Sequence, residues 1–373
     1  MRLLGNDLVI NEDDCNLSCV YCLTGQSNLK QSHHDRRIFQ PPRRDRYAPG
    51  QKLAERVDTV IDRIATRFGA PLLKITGGEV FLVHDIEALI DKASARFATV
   101  LVQTNAALIS PRQIERLAAL PNLVLQISLD SHIFEGNSLR VPREDLHRKI
   151  VARIEALLDA GLAIEIYTVL THRSIVHLES FAAWLAGRDG DIYFQPFPVR
   201  GPDSDRFAVR PDQLQLVDDF VAAAPRYRAI LPPPPYLDRL ARFYREGERR
   251  FGCHLPRLVV SSFSDGTLTP CPNIWFSDLG NLLGEAWEDT LARVGTSPLY
   301  RALVSPRPRL DACKGCFTPW DLLSMYMDDE ITLDELGQSP AYAHHDIRTL
   351  LAEVKAEARA DARARRAATP VPG

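Results

Sequence analysis

The chain has 373 residues, 45% of them hydrophobic, and a formal net charge of −3. That is enough apolar material for a barrel and a smaller second domain, while the near-neutral charge gives no electrostatic footprint for nucleic acid or a membrane surface. No apolar run approaches a membrane span, the N-terminus shows no signal-peptide core, and seven cysteines at metal-like spacing predict a reducing, cytoplasmic setting.

The first strand pattern, Leu8-Val9-Ile10, leads into Cys15-Asn16-Leu17-Ser18-Cys19-Val20-Tyr21-Cys22. Three thiolates on one short loop can converge on one metal centre. Structural zinc wants four protein ligands, and no fourth Cys follows nearby. Three thiolates suit a [4Fe–4S] cluster with one iron left open; half a zinc site is the competing reading. Tyr21 sets an aromatic ring beside the last Cys. Residues 28–49 are rich in Arg and His and read as a solvated loop, or as a cover that meets an anionic substrate.

Residues 51–68 carry Leu53, Val57, Val60, Ile61, Ile64 and Phe68 on one helical face. Leu72-Leu73-Lys74-Ile75 is the next strand and ends in Thr76-Gly77-Gly78-Glu79. A helix over 85–95 and a strand at 99–102 follow, the strand ending in Gln103-Thr104-Asn105. Ser110-Pro111-Arg112-Gln113 is a helix start with a capping Ser and Pro at the first position. The strand at 123–127 ends in Ser128-Leu129-Asp130-Ser131. A helix over 146–160, a strand over 164–170, a helix over 178–186 and a strand over 192–197 complete the series. Strands alternating with helices predict βα units around a parallel sheet. Six such strands make a barrel that stays open. Chemistry belongs at the C-terminal strand ends, where the first three cysteines, Glu79, Asn105, Ser128, Asp130 and Gln195 all fall.

Beyond a boundary near 202–210, the chain reads as helical, interrupted by four consecutive prolines, Pro232 to Pro235, which predict a stiff extended linker or turn. Asp265-Gly266 between alternating runs is a hairpin signal. Cys253, Cys271, Cys313 and Cys316 supply four more thiolates, enough to ligate a cluster fully or to hold a structural zinc. Residues 346–368 read as a charged helix that frays, with His344 and His345 at the surface before it.

The Cys15/Cys19/Cys22 motif with its aromatic Tyr21, followed by Gly77-Gly78-Glu79, resembles the radical S-adenosylmethionine (radical SAM) enzymes. Residues 253–316 resemble the auxiliary-cluster extension of that family, SPASM, in its shortened Twitch form. The resemblance implies a partial (β/α)6 TIM-like barrel over 1–205, a helical and Pro-rich linker over 206–250, a Twitch domain over 251–330 and a charged helical tail over 331–373. It implies two [4Fe–4S] clusters, one on Cys15, Cys19 and Cys22, the other on Cys253, Cys271, Cys313 and Cys316. It also implies S-adenosylmethionine bound by Tyr21, Gly77, Gly78, Glu79, Asn105 and Ser128, with Glu79 on the methionyl ammonium.

The expected activity is reductive cleavage of S-adenosylmethionine to a 5′-deoxyadenosyl radical, with electrons from a flavodoxin or ferredoxin. The expected outcome is oxidation of an unactivated carbon in a small natural product such as a sugar or aminocyclitol. The alternative substrate is a ribosomally made peptide delivered by a separate leader-binding protein, because a cluster motif at residue 15 is expected to leave no room for such a module before it. A non-catalytic iron–sulfur or zinc sensor is a third reading, and it leaves Gly77-Gly78-Glu79 without a purpose. Strand-end candidates for substrate chemistry are Tyr167, Thr168, His172, Gln195 and Arg200. With every cysteine assigned to a cluster, no thiol remains to quench a substrate radical, so net oxidation is expected.

Overall fold

The computed structural model describes residues 2–10, 14–22, 52–201, 204–275 and 277–368. The Arg- and His-rich stretch at 28–49 and the last five residues lie outside them. Six strands run parallel and pair strictly in sequence: β1 (Gly5–Ile10), β2 (Leu72–Gly77), β3 (Thr99–Thr104), β4 (Leu123–Ser128), β5 (Ala163–Leu170) and β6 (Ile192–Pro198). Each is a short, almost wholly buried run, as expected of a parallel sheet covered on both faces.

The helices between them are α1 (Leu53–Phe68), α2 (Ile86–Ser94), α3 (Pro111–Ala118), α4 (Glu144–Asp159) and α5 (Leu178–Ala186). On α1, Val57, Val60, Ile61, Ile64 and Phe68 are buried, each contributing roughly 1.5–3 kcal/mol of apolar burial. Gly69 stops this helix in the left-handed conformation. The start of α3 is a capping box: Ser110 Oγ accepts from Gln113 N–H, and Gln113 Oε1 accepts from Ser110 N–H at 2.8 Å.

Two regions differ from the sequence expectation. Residues 206–250 are a packed cover rather than a linker, built from α6 (Leu214–Ala223) and α7 (Pro234–Glu246). Pro234 and Pro235 open α7, where the missing N–H groups have no intrahelical partner to lose. Tyr236, fully buried, donates its hydroxyl to the Pro196 carbonyl of β6 at 3.1 Å. The stretch expected as a distinct C-terminal domain also continues the barrel sheet. β7 (Val259–Phe263) lies parallel to β1, in register from Gly5↔Val259 to Val9↔Phe263. β8 (Thr267–Thr269) and β9 (Gly280–Asn281) extend it antiparallel. The outer edge of β1 would otherwise expose a row of unpaired backbone groups. The β7–β8 turn is the expected Asp265-Gly266 hairpin, with Thr267 N–H donating to Asp265 Oδ1 at 2.8 Å.

Farther on come α8 (Trp287–Ala292), α9 (Asp321–Met327) and the long terminal helix α10 (His345–Ala368). α10 buries Ile347 and Leu351, and Arg2 pairs with its Glu353 and Glu357, so the tail docks on the start of the chain. His344 and His345 are exposed, as expected. Among the described residues, no helix is long and apolar enough to cross a membrane.

The tightest backbone approach in the barrel is at Gly77, where an added Cβ would lie 1.5 Å from the Ile10 carbonyl oxygen. Gly77→Ala is expected to destabilise the fold by about 3 kcal/mol or more, since neither strand can yield. Gly187→Ala, whose Cβ would meet nothing closer than 3.5 Å, is the matched control. Urea denaturation followed by circular dichroism compares the two, and equal midpoints would refute the close-approach argument.

Candidate functional site

β1 delivers the chain to the cysteine loop at the C-terminal side of the sheet. Glu79 N–H donates to the Asp14 carbonyl at 2.9 Å, locking the Gly-Gly-Glu turn to the start of that loop. Asn105 Nδ2 donates to Asn16 Oδ1 at 2.8 Å, Val20 N–H to the Leu139 carbonyl at 3.0 Å, and Cys22 N–H turns back to the Cys19 carbonyl at 3.1 Å. Tyr21 is buried beneath the loop and donates its hydroxyl to Asp130. Asp130 also accepts from Arg140 Nη2 at 2.8 Å and Val169 N–H at 3.0 Å, while the Arg140 guanidinium lies 5.5 Å from the Tyr21 ring centroid. Tyr21 and Asp130 thus prop the loop from below.

Cys15, Cys19, Cys22, Tyr21, Gly77, Gly78, Glu79, Asn105 and Ser128 line one cavity. All the expected cofactor residues are therefore brought together. Of the catalytic candidates, Tyr167 and Arg200 line the same cavity. Arg200 Nη1 donates to Asn273 Oδ1, and the Tyr167 hydroxyl accepts from Gln126 Nε2 at 2.6 Å. Gln195 is buried in the barrel outside the cavity wall, and Thr168 Oγ1 donates to the Leu129 carbonyl at 2.6 Å. His172 is corrected: its backbone N–H donates to the Phe207 carbonyl at 2.9 Å, its ring Nδ1 lies 3.2 Å from the same oxygen, and it does not reach the cavity.

Glu79 is held by the protein itself. It is completely buried. Oε1 accepts from Phe81 N–H at 3.1 Å and Thr104 Oγ1 at 2.7 Å, and Oε2 accepts from Asn105 N–H at 2.9 Å. Burial raises its pKa, and these three donors pull it back. The carboxylate therefore clasps the ends of β2 and β3 while it lines the cavity.

Burial also pushes the Cys19 thiol up to about 12 and raises that of Cys15. Such thiols stay neutral until a cation draws off their protons, as metal binding does. Three thiols on one cavity wall, with buried polar groups facing them, fit a cluster held from one side.

The other four thiols, Cys253, Cys271, Cys313 and Cys316, line a second cavity. Burial pushes Cys313 to about 12, Cys316 to about 11 and Cys271 well above the ordinary thiol range. Arg249 is buried beside them, pairs with Asp321 at 2.5 Å and donates to the Cys316 carbonyl at 3.2 Å. Among the described residues, no three Cys, His, Asp or Glu side chains close on a single-ion position. Four thiols on one pocket match the ligand number of a fully held four-iron cluster and equally of a structural zinc. Asn273, Thr318 and Trp320 line both cavities and form the wall between them.

Sequence reasoning missed Asp7, Lys74 and Arg140 in the cavity wall. A signal existed for the first two. A charge inside Leu72-Leu73-Lys74-Ile75, and another directly before Leu8-Val9-Ile10, are anomalies in strands buried on both faces.

Residues 13–185 match the model of the Radical SAM superfamily. The chain carries a radical SAM domain. Over 219 residues it is 30% identical to the mycofactocin maturase MftC of Mycobacterium tuberculosis, an alignment covering 57% of this chain and 50% of that protein. The chain thus spans about half the length of the curated relatives it matches. Among solved structures, SuiB of Streptococcus suis bound to precursor peptide SuiA superposes with a TM-score of 0.55 at 18% identity, covering 87% of this chain and 73% of SuiB. Native anSMEcpe with bound AdoMet gives a TM-score of 0.58 at 16% identity, covering 80% of this chain and 83% of that one. These likenesses bear out the fold, a radical SAM partial (β/α)6 barrel.

Glu79→Ala in this radical SAM domain is expected to lower stability by about 3 kcal/mol even without S-adenosylmethionine, because buried donors lose their acceptor. Weaker S-adenosylmethionine binding is expected in addition. Thermal denaturation of the ligand-free protein checks the first effect and calorimetric titration the second. An unchanged melting midpoint would remove the clasp, and unchanged affinity would remove the ligand contact.

Proposed function

We propose that this chain is a radical SAM enzyme that oxidatively modifies a ribosomally made peptide. The observation that carries the reading is the single cavity gathering Cys15, Cys19, Cys22, the Gly77-Gly78-Glu79 turn and Ser128 within a radical SAM domain. Similarity to a maturase, and a fold shared with a protein solved in complex with its precursor peptide, support a peptide better than the sugar or aminocyclitol expected from sequence.

Cys15, Cys19 and Cys22 would hold a [4Fe–4S] cluster, and Cys253, Cys271, Cys313 and Cys316 a second, fully ligated one as in a Twitch domain. When bound, the first cluster and S-adenosylmethionine supply a 5′-deoxyadenosyl radical that abstracts hydrogen from the substrate. The protein's part is placement. Gly77 and Gly78 admit the ligand close to the backbone, Ser128 and Asn105 offer hydrogen bonds, and Trp275 and Trp320 wall the cavity against water. A cluster held by these four thiols would stand across the Trp320 wall and would supply an acceptor for an electron leaving the substrate. A leader-binding protein and a flavodoxin or ferredoxin would be the partners, in a reducing cytoplasm that suits seven cysteines.

Anaerobic reconstitution is expected to yield about eight irons per chain, falling to about four when Cys15, Cys19 and Cys22 are all changed to Ala. Zinc at the second site in anaerobically purified protein would defeat the Twitch assignment. Peptide pools, supplied with S-adenosylmethionine and dithionite, should raise 5′-deoxyadenosine formation above the substrate-free rate. Stimulation by low-mass metabolites alone would move the reading back to a small molecule.

A further inference from the structure

The floor of the cavity holds an arrangement that none of these roles uses. Asp7 on β1 and Lys74 on β2 are directly paired positions in the sheet. Both line the cavity, and each is only 5% exposed. Opposite charges so placed would ordinarily close into an ion pair, yet among the described residues these two do not. Asp7 Oδ1 has no hydrogen-bond partner there. The Lys74 ammonium rests between two rings, 5.3 Å from the Tyr167 centroid and 5.5 Å from that of Trp320.

The neighbouring charges are engaged elsewhere. Arg200 donates to Asn273. Glu165 accepts from Ser339 at 2.5 Å, Gln126 at 2.7 Å and Ala341 N–H at 3.3 Å. Burial raises the Asp7 pKa and lowers that of Lys74, and each charge partly offsets the shift of the other. A buried acceptor and a buried donor held apart on one wall are costly unless something bridges them.

We propose that Asp7 and Lys74 form a subsite for one neutral amide of the substrate, whose N–H donates to Asp7 and whose carbonyl accepts from Lys74. A carboxylate in that place would be repelled by Asp7, and an ammonium by Lys74. An amide satisfies both at once. If the substrate is a peptide, the group is a backbone amide or an Asn or Gln carboxamide. The assignment rests on the peptide reading only for the owner of the amide.

The test uses the reconstituted, S-adenosylmethionine-bound enzyme and three small probes: acetamide, acetate and methylammonium. Saturation-transfer NMR reports their affinities, and anaerobic crystals soaked in each probe report their positions. Acetamide is expected to bridge Asp7 and Lys74 and to bind roughly tenfold or more tighter than either ion, the worth of one buried hydrogen bond. Lys74→Met should abolish that preference and admit methylammonium, while Asp7→Asn should admit acetate. A merely structural pair would show no such swap, and either variant alone suffices if the other fails to fold. Water alone between the two side chains, or equal binding of all three probes, overturns the subsite. If acetamide bridges the pair while no peptide pool stimulates 5′-deoxyadenosine formation, the subsite stands and the peptide reading fails.

Discussion

The contact on which the rest of the site depends is between the ends of β1 and β2. Gly77 passes so close to the Ile10 carbonyl that only a hydrogen fits between them. Two residues later Glu79 N–H reaches the Asp14 carbonyl, and the Glu79 carboxylate fastens Phe81, Thr104 and Asn105. A cysteine loop is intrinsically floppy, and three thiols serve one cluster only if their backbone is held. Here the holding comes from the Gly-Gly-Glu turn on one side and from Tyr21, Asp130 and Arg140 on the other. The glycines thus do more than admit a ligand. They let two strand ends converge so that both halves of the candidate cofactor site share one rigid support.

The second thiol site gains its position from the same sheet. Because β7 pairs with β1 in parallel register, Cys271 follows shortly after β8 on the flank of the strand that leads to Cys15. Asn273, Thr318 and Trp320 belong to both cavity walls. The packed cover of α6 and α7, anchored through Tyr236 on β6, closes the opposite flank. A thiol site held this way has a fixed place relative to the first cavity, which a domain on a linker would lack.

How much of this was legible in the sequence depends on whether the deciding interaction was local. The six strands, the Ser110–Gln113 capping box and the Asp265-Gly266 turn all rest on contacts within a few residues, and the structure has them where the pattern put them. The proline run misled, because prolines stiffen an extended chain and also suit the first turn of a helix. Only the packing of Tyr236 against Pro196 decides between these. The pairing of β7 with β1 joins residues some 250 apart and leaves no local trace. His172 and Glu79 show a related limit. Position at a strand end says that a side chain is near the site, while its hydrogen bonds say whether it faces the ligand or the protein.

Asp7 and Lys74 are the clearest case of a visible residue with an invisible relation. Each stood out as a charge in an apolar strand, but their register becomes apparent only once β1 and β2 are paired. That pairing exposes a tension in the barrel. A folding sequence selected for stability alone would fill both positions with well-packed aliphatic residues, since a buried ion pair is often no better than its hydrophobic replacement. Two opposite charges that are buried and still not joined are worse than either choice. The rest of the barrel is apolar and close-packed enough to tolerate the loss. Such a local violation, set in the wall of the cavity that also holds the three cysteines, is where a fold gives up stability for a site.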